Sequence, residues 1–263
     1  TSPHLHAGRA VVLLKLRDLQ ELGHQIVLIV GDFTGVIGDT SDKESERPML
    51  TNEVITANMK SYVEQAGKLL DLSKVEVHYN STWLSKLTFA EIGEQADQFS
   101  LAEFIARDTV KRRIDEGKRV SLREVLYPLM QGYDSVMIKA DLELGGTDQR
   151  FNMLAGRKLQ EHYKQKPQSI LMTNIIEGTD GRKMSKSWGN TINLLDSAED
   201  MYGKVMSWPD SLMMLAFEIC TRVPMDEAKS LVEKNPRDAK MRLAREIVAM
   251  YHSEKSVCAA EEN

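Results

Sequence analysis

The sequence predicts an α/β fold: a doubly wound parallel sheet with a helical insertion, followed by a small all-helical domain. Three observations carry that expectation. Residues 8–22 place Val11, Val12, Leu14, Leu16, Leu19 and Leu22 at helical spacing, and Gly23 is a natural C-terminal stop. A continuous apolar, β-branched run follows at 25–30 and ends in Gly31-Asp32, the pattern of a buried parallel strand. Helix then strand, with little between them, is the rhythm of a doubly wound sheet, and it returns later in the chain.

The remaining elements follow in order. Residues 39–48 are polar and charged, and read as a loop. Residues 51–130 read mainly as helices, with a short strand at 75–79, and form an insertion of about 48–130 between the halves of the sheet. A strand is predicted at 137–144, a helix at 148–163 and a strand at 169–173. From 195 onward the pattern is helical, punctuated by Pro209, Pro224 and Pro236. This reading divides the chain into 1–194 and 195–263.

Bulk properties bound the function. The chain has 263 residues, 42% hydrophobic, enough for one sizeable core plus a smaller unit. A net charge of −5 excludes a general nucleic-acid coat, so any RNA contact must use local patches. Cys220 and Cys258 are too few for a disulfide framework and show no metal-ligand spacing, so no metal site is predicted. No apolar run approaches the ~18 residues that cross a bilayer, and no signal peptide is evident. The expectation is a cytoplasmic protein without a membrane partner.

Chemistry concentrates in a few segments. In Gly-Arg-Lys-Met-Ser-Lys-Ser-Trp-Gly-Asn, Lys183 and Lys186 flank Met184 and Ser185, Ser187 follows, and Gly181 and Gly189 bracket the run. Two ammonium groups beside hydroxyls and loop amides make a clamp for a polyphosphate, although a solvated basic loop has the same composition. His6-Ala7-Gly8-Arg9 stands where the first helix begins, and free amides and the helix dipole there favour phosphate. Gly8 would let a nucleotide lie against the backbone. Tyr127, Gln131 and Asp134 are spaced four and then three apart, so one helical face can present all three; a surface stripe would look alike. Gly145-Gly146-Thr147-Asp148 follows a predicted strand and opens a helix, as a nucleotide-binding turn or an ordinary turn with an aspartate N-cap would.

Together these segments resemble the His-x-Gly-His and Lys-Met-Ser-Lys-Ser signatures of class I aminoacyl-tRNA synthetases. Tyr127-Pro128-Leu129-Met130-Gln131-Gly132-Tyr133-Asp134 and Leu144-Gly145-Gly146-Thr147-Asp148-Gln149 are similar to the amino-acid and ribose segments of the bacterial tyrosyl-tRNA synthetases. The resemblance implies a Rossmann-like catalytic domain that forms tyrosyl-adenylate from L-tyrosine and ATP, with Mg²⁺ accompanying ATP, and transfers tyrosine to tRNA(Tyr). His6, Arg9, Lys183 and Lys186 take the catalytic positions. Thr1, Gly8, Lys43, Arg47, Gly146, Asp148, Met184 and Ser187 fall on ATP-binding positions, Asp148 at the ribose. For Lys43 and Arg47, a solvated charge run with Asp42, Glu44 and Glu46 explains the residues equally well. Asp39, Tyr127, Gln131, Asp134 and Gln149 fall on tyrosine-binding positions: Asp134 at the phenol hydroxyl, Tyr127, Gln131 and Asp39 at the ammonium, Gln149 by the carboxylate. Asn80 is placed behind them.

Three departures accompany the resemblance. Arg9 stands where the family usually has a second histidine, and Glu143 stands where other members carry glutamine. The family's first strand has no counterpart before His6, and the chain stops where the family usually continues into an RNA-binding module, so a fragment, or an unusually short member, is expected. A homodimer with its interface in the insertion is implied, and Lys234, Arg237, Lys240, Arg242 and Arg245 offer a local basic patch for tRNA or a solvated helix face. The rivals are a tryptophanyl-tRNA synthetase on the same scaffold, a small adenylyltransferase, and a non-catalytic RNA-binding relative. Gln-Gly-Tyr-Asp-Ser favours tyrosine over the first, the long insertion and tail oppose the second, and the retained Lys183 and Lys186 oppose the third.

Overall fold

Local chemistry decides where the elements start and stop. In the computed structural model, which describes residues 4–37, 52–182, 184 and 189–261, helix α1 runs Ala7–Glu21. A Schellman turn ends it: Gly23 adopts φ +89°, and the amides of Gly23 and His24 donate to the carbonyls of Gln20 and Leu19. Strand β1 is Ile26–Val30, and a short helix α2, Asp32–Ile37, follows directly. The sequence reading ends that strand at Gly31-Asp32 and does not anticipate α2. Helix α3 is Asn52–Ala66 and strand β2 is Val75–Tyr79.

The insertion is a series of short helices: α4 Ser81–Leu84, α5 Phe89–Asp97, α6 Leu101–Ile105 and α7 Asp108–Asp115. The longer α8, Leu122–Met137, completes it. Helices α5, α6 and α8 start in capping boxes, Thr88 with Glu91, Ser100 with Glu103 and Ser121 with Glu124. Glu124 also takes the buried guanidinium of Arg113 at 2.6 Å, which fixes the α7–α8 turn. Pro128 lies inside α8 and removes one backbone donor from it.

Strand β3 is Leu142–Gly146, helix α9 Arg150–His162 and strand β4 Ser169–Thr173. The strand predicted at 137–144 therefore begins late. Met137 is the last residue of α8, Lys139 turns the chain at φ 51°, and the amides of Lys139 and Ala140 close the helix end on Val136 and Ser135. A second Schellman closure takes up the apolar residues that read as strand. Helices α10 Ala198–Met206, α11 Met213–Cys220, α12 Met225–Lys234, α13 Pro236–Tyr251 and α14 Glu254–Glu261 complete the chain. Pro224 and Pro236 sit at helix starts, and the Asn235 side chain accepts from the Arg237 amide at 3.1 Å to cap α13.

Among the described residues, those within 27–60 and 75–172 form one compact unit, and those within 2–26, 61–74 and 173–263 form another. In the first, β1 pairs with β2 and β3 with β4. Both pairs are parallel, because Asn80, just past β2, donates to Val30 at the end of β1, and Ser169 donates to Asp141 at the start of β3. Helices α8 and α9 cross closely at glycine: a Cβ on Gly132 would sit 3.1 Å from the backbone of Ala155 and Gly156. The second unit has an apolar core of Met201, Trp208, Met213, Phe217, Leu243 and Ile247, each at most 2% exposed.

Backbone cannot yield as a side-chain tip can, so Gly132→Ala is expected to destabilise the chain by about 1–3 kcal/mol in urea unfolding. Gly93→Ala, with open space around it inside α5, is expected to be neutral or mildly stabilising.

Candidate active site

In the first unit, the C-terminal ends of β1 and β2 hold a buried carboxylate. Asp134, on α8, is 7% exposed. Its Oδ1 accepts from the Trp83 indole at 2.7 Å and its Oδ2 from the Asn80 amide at 3.1 Å. Asn80, fully buried, also donates to Thr34 Oγ1 at 3.0 Å and accepts from the Phe33 backbone at 3.1 Å. Asp32 caps two elements at once, accepting from the amides of Phe33 at 3.0 Å and Ser81 at 2.8 Å, and from the Ser81 hydroxyl. Two strand ends and the helices that follow them thus fix one carboxylate. Gly31 makes this possible, because a Cβ there would overlap Thr34 Oγ1.

A carboxylate offers about four acceptor sites. Two are taken on Asp134, so a further donor can be received. Burial pushes the Asp134 carboxyl up from 3.8 to about 7; Trp83 and Asn80 oppose the shift, and the charges of Glu143 and Asp32 add to it.

A second polar group forms where β3 faces α8 and α9. Gln131 Nε2 donates to Glu143 Oε1 at 3.0 Å, and Gln131 Oε1 accepts from Asn152 Nδ2 at 3.0 Å. Asn152 also donates to Gln149 Oε1 at 3.1 Å. Glu143 Oε2 accepts from Ser135 Oγ at 3.2 Å and from Gln168 Nε2. Burial pushes the Glu143 carboxyl up, against the pull of Gln131, Gln168 and Ser135. Tyr127 and Asp148 are half-buried; Tyr127 lies on α8, and Asp148 lies in the single 3₁₀ turn Thr147–Gln149 that opens α9. Gly146 caps that turn in extended conformation, and a Cβ on Gly145 would press on Met153 and Gln149.

In the second unit, His6 is extended at the N-cap of α1 and forms an antiparallel bridge with Asn193. The amide of Ala7 donates to Ile192 at 2.7 Å, and that of Leu194 to Leu5 at 2.9 Å. Gly8 leaves room for the histidine ring: a Cβ there would lie 3.2 Å from His6 Nδ1. Arg9 lies near Tyr62, whose phenol burial pushes up while the Arg9 charge opposes the shift. Gly181 and Gly189, at φ 74° and 65°, bracket the twin-lysine segment, and Met184 within it is buried. Asp180 anchors its start by accepting from Asn190 at 2.6 Å and from Arg182. That bonding holds the Asp180 carboxyl down at about 2.

The structure therefore brings Gln131 and Gln149 into one network, places Tyr127 and Asp134 on the same helix, and places His6 and Gly8 together at the start of α1. Thr1, Asp39, Lys43, Arg47, Lys183, Lys186 and Ser187 lie outside the described residues. Trp83, Thr34, Asn152 and Gln168 escape sequence reading. Nothing in the spacing of Trp83 reports that its N–H reaches a carboxylate 51 positions away. Among the described residues, no group of three or more His, Cys, Asp or Glu side chains could hold a metal ion, and no helix is long and apolar enough to cross a membrane.

The Asp134 shift has a defined sign. Its carboxyl ionises at 3.8 when unfolded and at about 7 when folded, so the folded chain holds the proton more tightly. Its contribution to stability is full below the unfolded value and is lost as pH rises to about 7, at roughly 1.4 kcal/mol per pH unit. Urea unfolding of the wild type and Asp134→Asn should show the wild type losing ground to the variant between pH 5 and pH 7, with no further change above; a constant difference would contradict the assignment.

Comparison with known proteins places this chain in a family. The family model described as tRNA synthetases class I (W and Y) matches residues 1–263. The tyrosine–tRNA ligase of Moorella thermoacetica is 51% identical over 268 residues, covering 99% of this chain and 65% of that protein. That of Thermotoga maritima is 48% identical, covering 99% and 67%. The chain thus spans about two thirds of the length of these relatives. Two solved structures share the fold: a C-terminally truncated mitochondrial tyrosyl-tRNA synthetase of Aspergillus nidulans, at TM-score 0.79 and 21% identity over 100% of this chain and 82% of that one, and the L-tyrosine complex of the Archaeoglobus fulgidus tyrosyl-tRNA synthetase, at 0.78 and 22% over 97% and 87%. With an α/β fold and a match along its whole length, the chain belongs to the class I tRNA synthetases of the tryptophan and tyrosine group.

Proposed function

We propose that this chain is the catalytic part of a tyrosine–tRNA ligase that activates L-tyrosine with ATP and transfers it to tRNA(Tyr). The observation that carries the reading is the buried Asp134 carboxylate, held by Trp83 and Asn80 with acceptor capacity to spare. A phenol hydroxyl can fill that capacity. Phenylalanine would leave it unfilled in a buried site, which is how a pocket rejects a substrate lacking one hydroxyl. Tyrosyl-tRNA synthetases are themselves a known instance of that effect.

The remaining roles rest on the family resemblance. Tyr127, Gln131 and Asp39 surround the tyrosine ammonium, and Gln149 borders its carboxylate. Asp148 receives the ribose hydroxyls, with Gly146 admitting the sugar. The tyrosine carboxylate attacks the α-phosphorus of ATP; an oxygen–phosphorus bond forms, the bond from the α-phosphorus to the α–β bridging oxygen breaks, and pyrophosphate leaves with its electron pair. The nucleophile is already ionised, so positioning and charge stabilisation supply the catalysis. His6, Arg9, Lys183 and Lys186 are assigned to the developing phosphate charge, Thr1, Gly8, Lys43, Arg47, Met184 and Ser187 to holding ATP, and Mg²⁺ accompanies ATP without a dedicated protein site. Residues 195–263 are assigned to the anticodon side, and the working enzyme to a cytoplasmic homodimer.

An ATP–pyrophosphate exchange assay on the intact protein tests the reading. Tyrosine is expected to support exchange, and tryptophan to leave it at background. Exchange driven by tryptophan would move the assignment to the other branch of the family, and exchange with neither would remove the catalytic one.

A further inference from the structure

The Gln131 amide is specified at both ends. Its NH₂ meets Glu143 Oε1 at 3.0 Å, and its oxygen meets the NH₂ of Asn152 at 3.0 Å. An ionised carboxylate only accepts, so it admits one orientation of the facing amide. The same constraint passes along the chain of bonds. With Gln131 so oriented, Asn152 must present its NH₂ to Gln131 Oε1, and its second hydrogen reaches Gln149 Oε1 at 3.1 Å. Glu143 is itself held against rotation, because Ser135 Oγ at 3.2 Å and Gln168 Nε2 both donate to its other oxygen. Space for that clasp exists because residue 156 is glycine: a Cβ there would stand 2.7 Å from Gln168 Nε2 and 2.9 Å from Ser135 Oγ.

We infer that Glu143 is a positioning residue that sets the polarity of the amino-acid site through Gln131, Asn152 and Gln149. Its carboxylate takes one hydrogen of the Gln131 NH₂ and turns the carbonyl oxygen of Gln131 away from itself, so the amide is held in a single orientation with its oxygen toward Asn152. Gln149 is drawn into the same order through its oxygen, which is turned to Asn152. A carbonyl oxygen fixed in this sense suits the ammonium of a zwitterionic amino acid. The inference rests on the reading of Gln131 as a tyrosine contact. A glutamine at position 143 would fill the same space yet could donate as well as accept, which would let the Gln131 amide take either orientation.

The test is calorimetric tyrosine binding to the wild type, Glu143→Gln, Gln131→Ala and the double variant, with ATP binding measured alongside. Glu143→Gln should weaken tyrosine about tenfold, leave ATP affinity within about twofold, and add nothing further in the Gln131→Ala background. An equal loss in both backgrounds, or no loss, would overturn the inference. Tyrosine binding that is indifferent to Gln131→Ala would instead overturn the contact reading. A readout free of ligand separates the two: the Gln131 side-chain NH₂ resonances, identified by their loss in Gln131→Ala. Slow solvent exchange in the wild type that Glu143→Gln abolishes supports the anchor even if tyrosine does not bind. Should Glu143→Gln not fold, the wild-type resonances decide, slow exchange supporting the anchor and free exchange overturning it.

Discussion

One buried carboxylate, and the cost of leaving it without partners, governs the arrangement around it. An ionised group removed from water is tolerated only where hydrogen bonds replace its hydration. Asp134 receives two such bonds, from an indole and an amide that reach it from the insertion and the end of β2. The neighbouring groups serve that arrangement. Asn80 is fixed by Thr34 and the Phe33 amide, Asp32 joins the start of α2 to that of α4, and Gly31 gives Thr34 its room. The parallel pairing of β1 and β2 brings these groups to the carboxyl edge of the strands, where open α/β sheets place their ligands.

The second carboxylate of the same unit works differently. Glu143 receives donors from Gln131, Ser135 and Gln168, so it ties together side chains from α8 and from just before β4. The close crossing of α8 and α9 at Gly132 and Gly156 sets the spacing on which that order depends. Two acids of one unit are thus bonded differently, one with two donors and acceptor capacity to spare, the other with three donors. The Glu143 charge adds to the upward shift of the Asp134 carboxyl, which burial chiefly causes.

Much of this was legible in the sequence. Helix α1, its Gly23 stop, β1, β2 and β4 follow from periodicity and turn chemistry, and the spacing of Tyr127, Gln131 and Asp134 correctly placed all three on one helix. The misses have a common cause. Helix α2 and the late start of β3 depend on closures made by single residues, Asp32 and Lys139, whose conformation a hydropathy pattern does not encode. Trp83 and Gln168 enter the clusters through bonds to residues 51 and 25 positions away, and long-range partners leave no local mark. Glu143 was visible as an unusual residue, but its role depends on the partners of both its oxygens, which no spacing reports.

The most direct test of the central claim is calorimetric binding of tyrosine and phenylalanine to the intact chain between pH 6 and pH 8. If the Asp134 carboxylate receives the phenol hydroxyl, tyrosine affinity should rise about tenfold across that range as the group ionises at about 7. Phenylalanine should bind far more weakly and with no such rise. Equal affinities, or the same pH profile for both amino acids, would contradict the account.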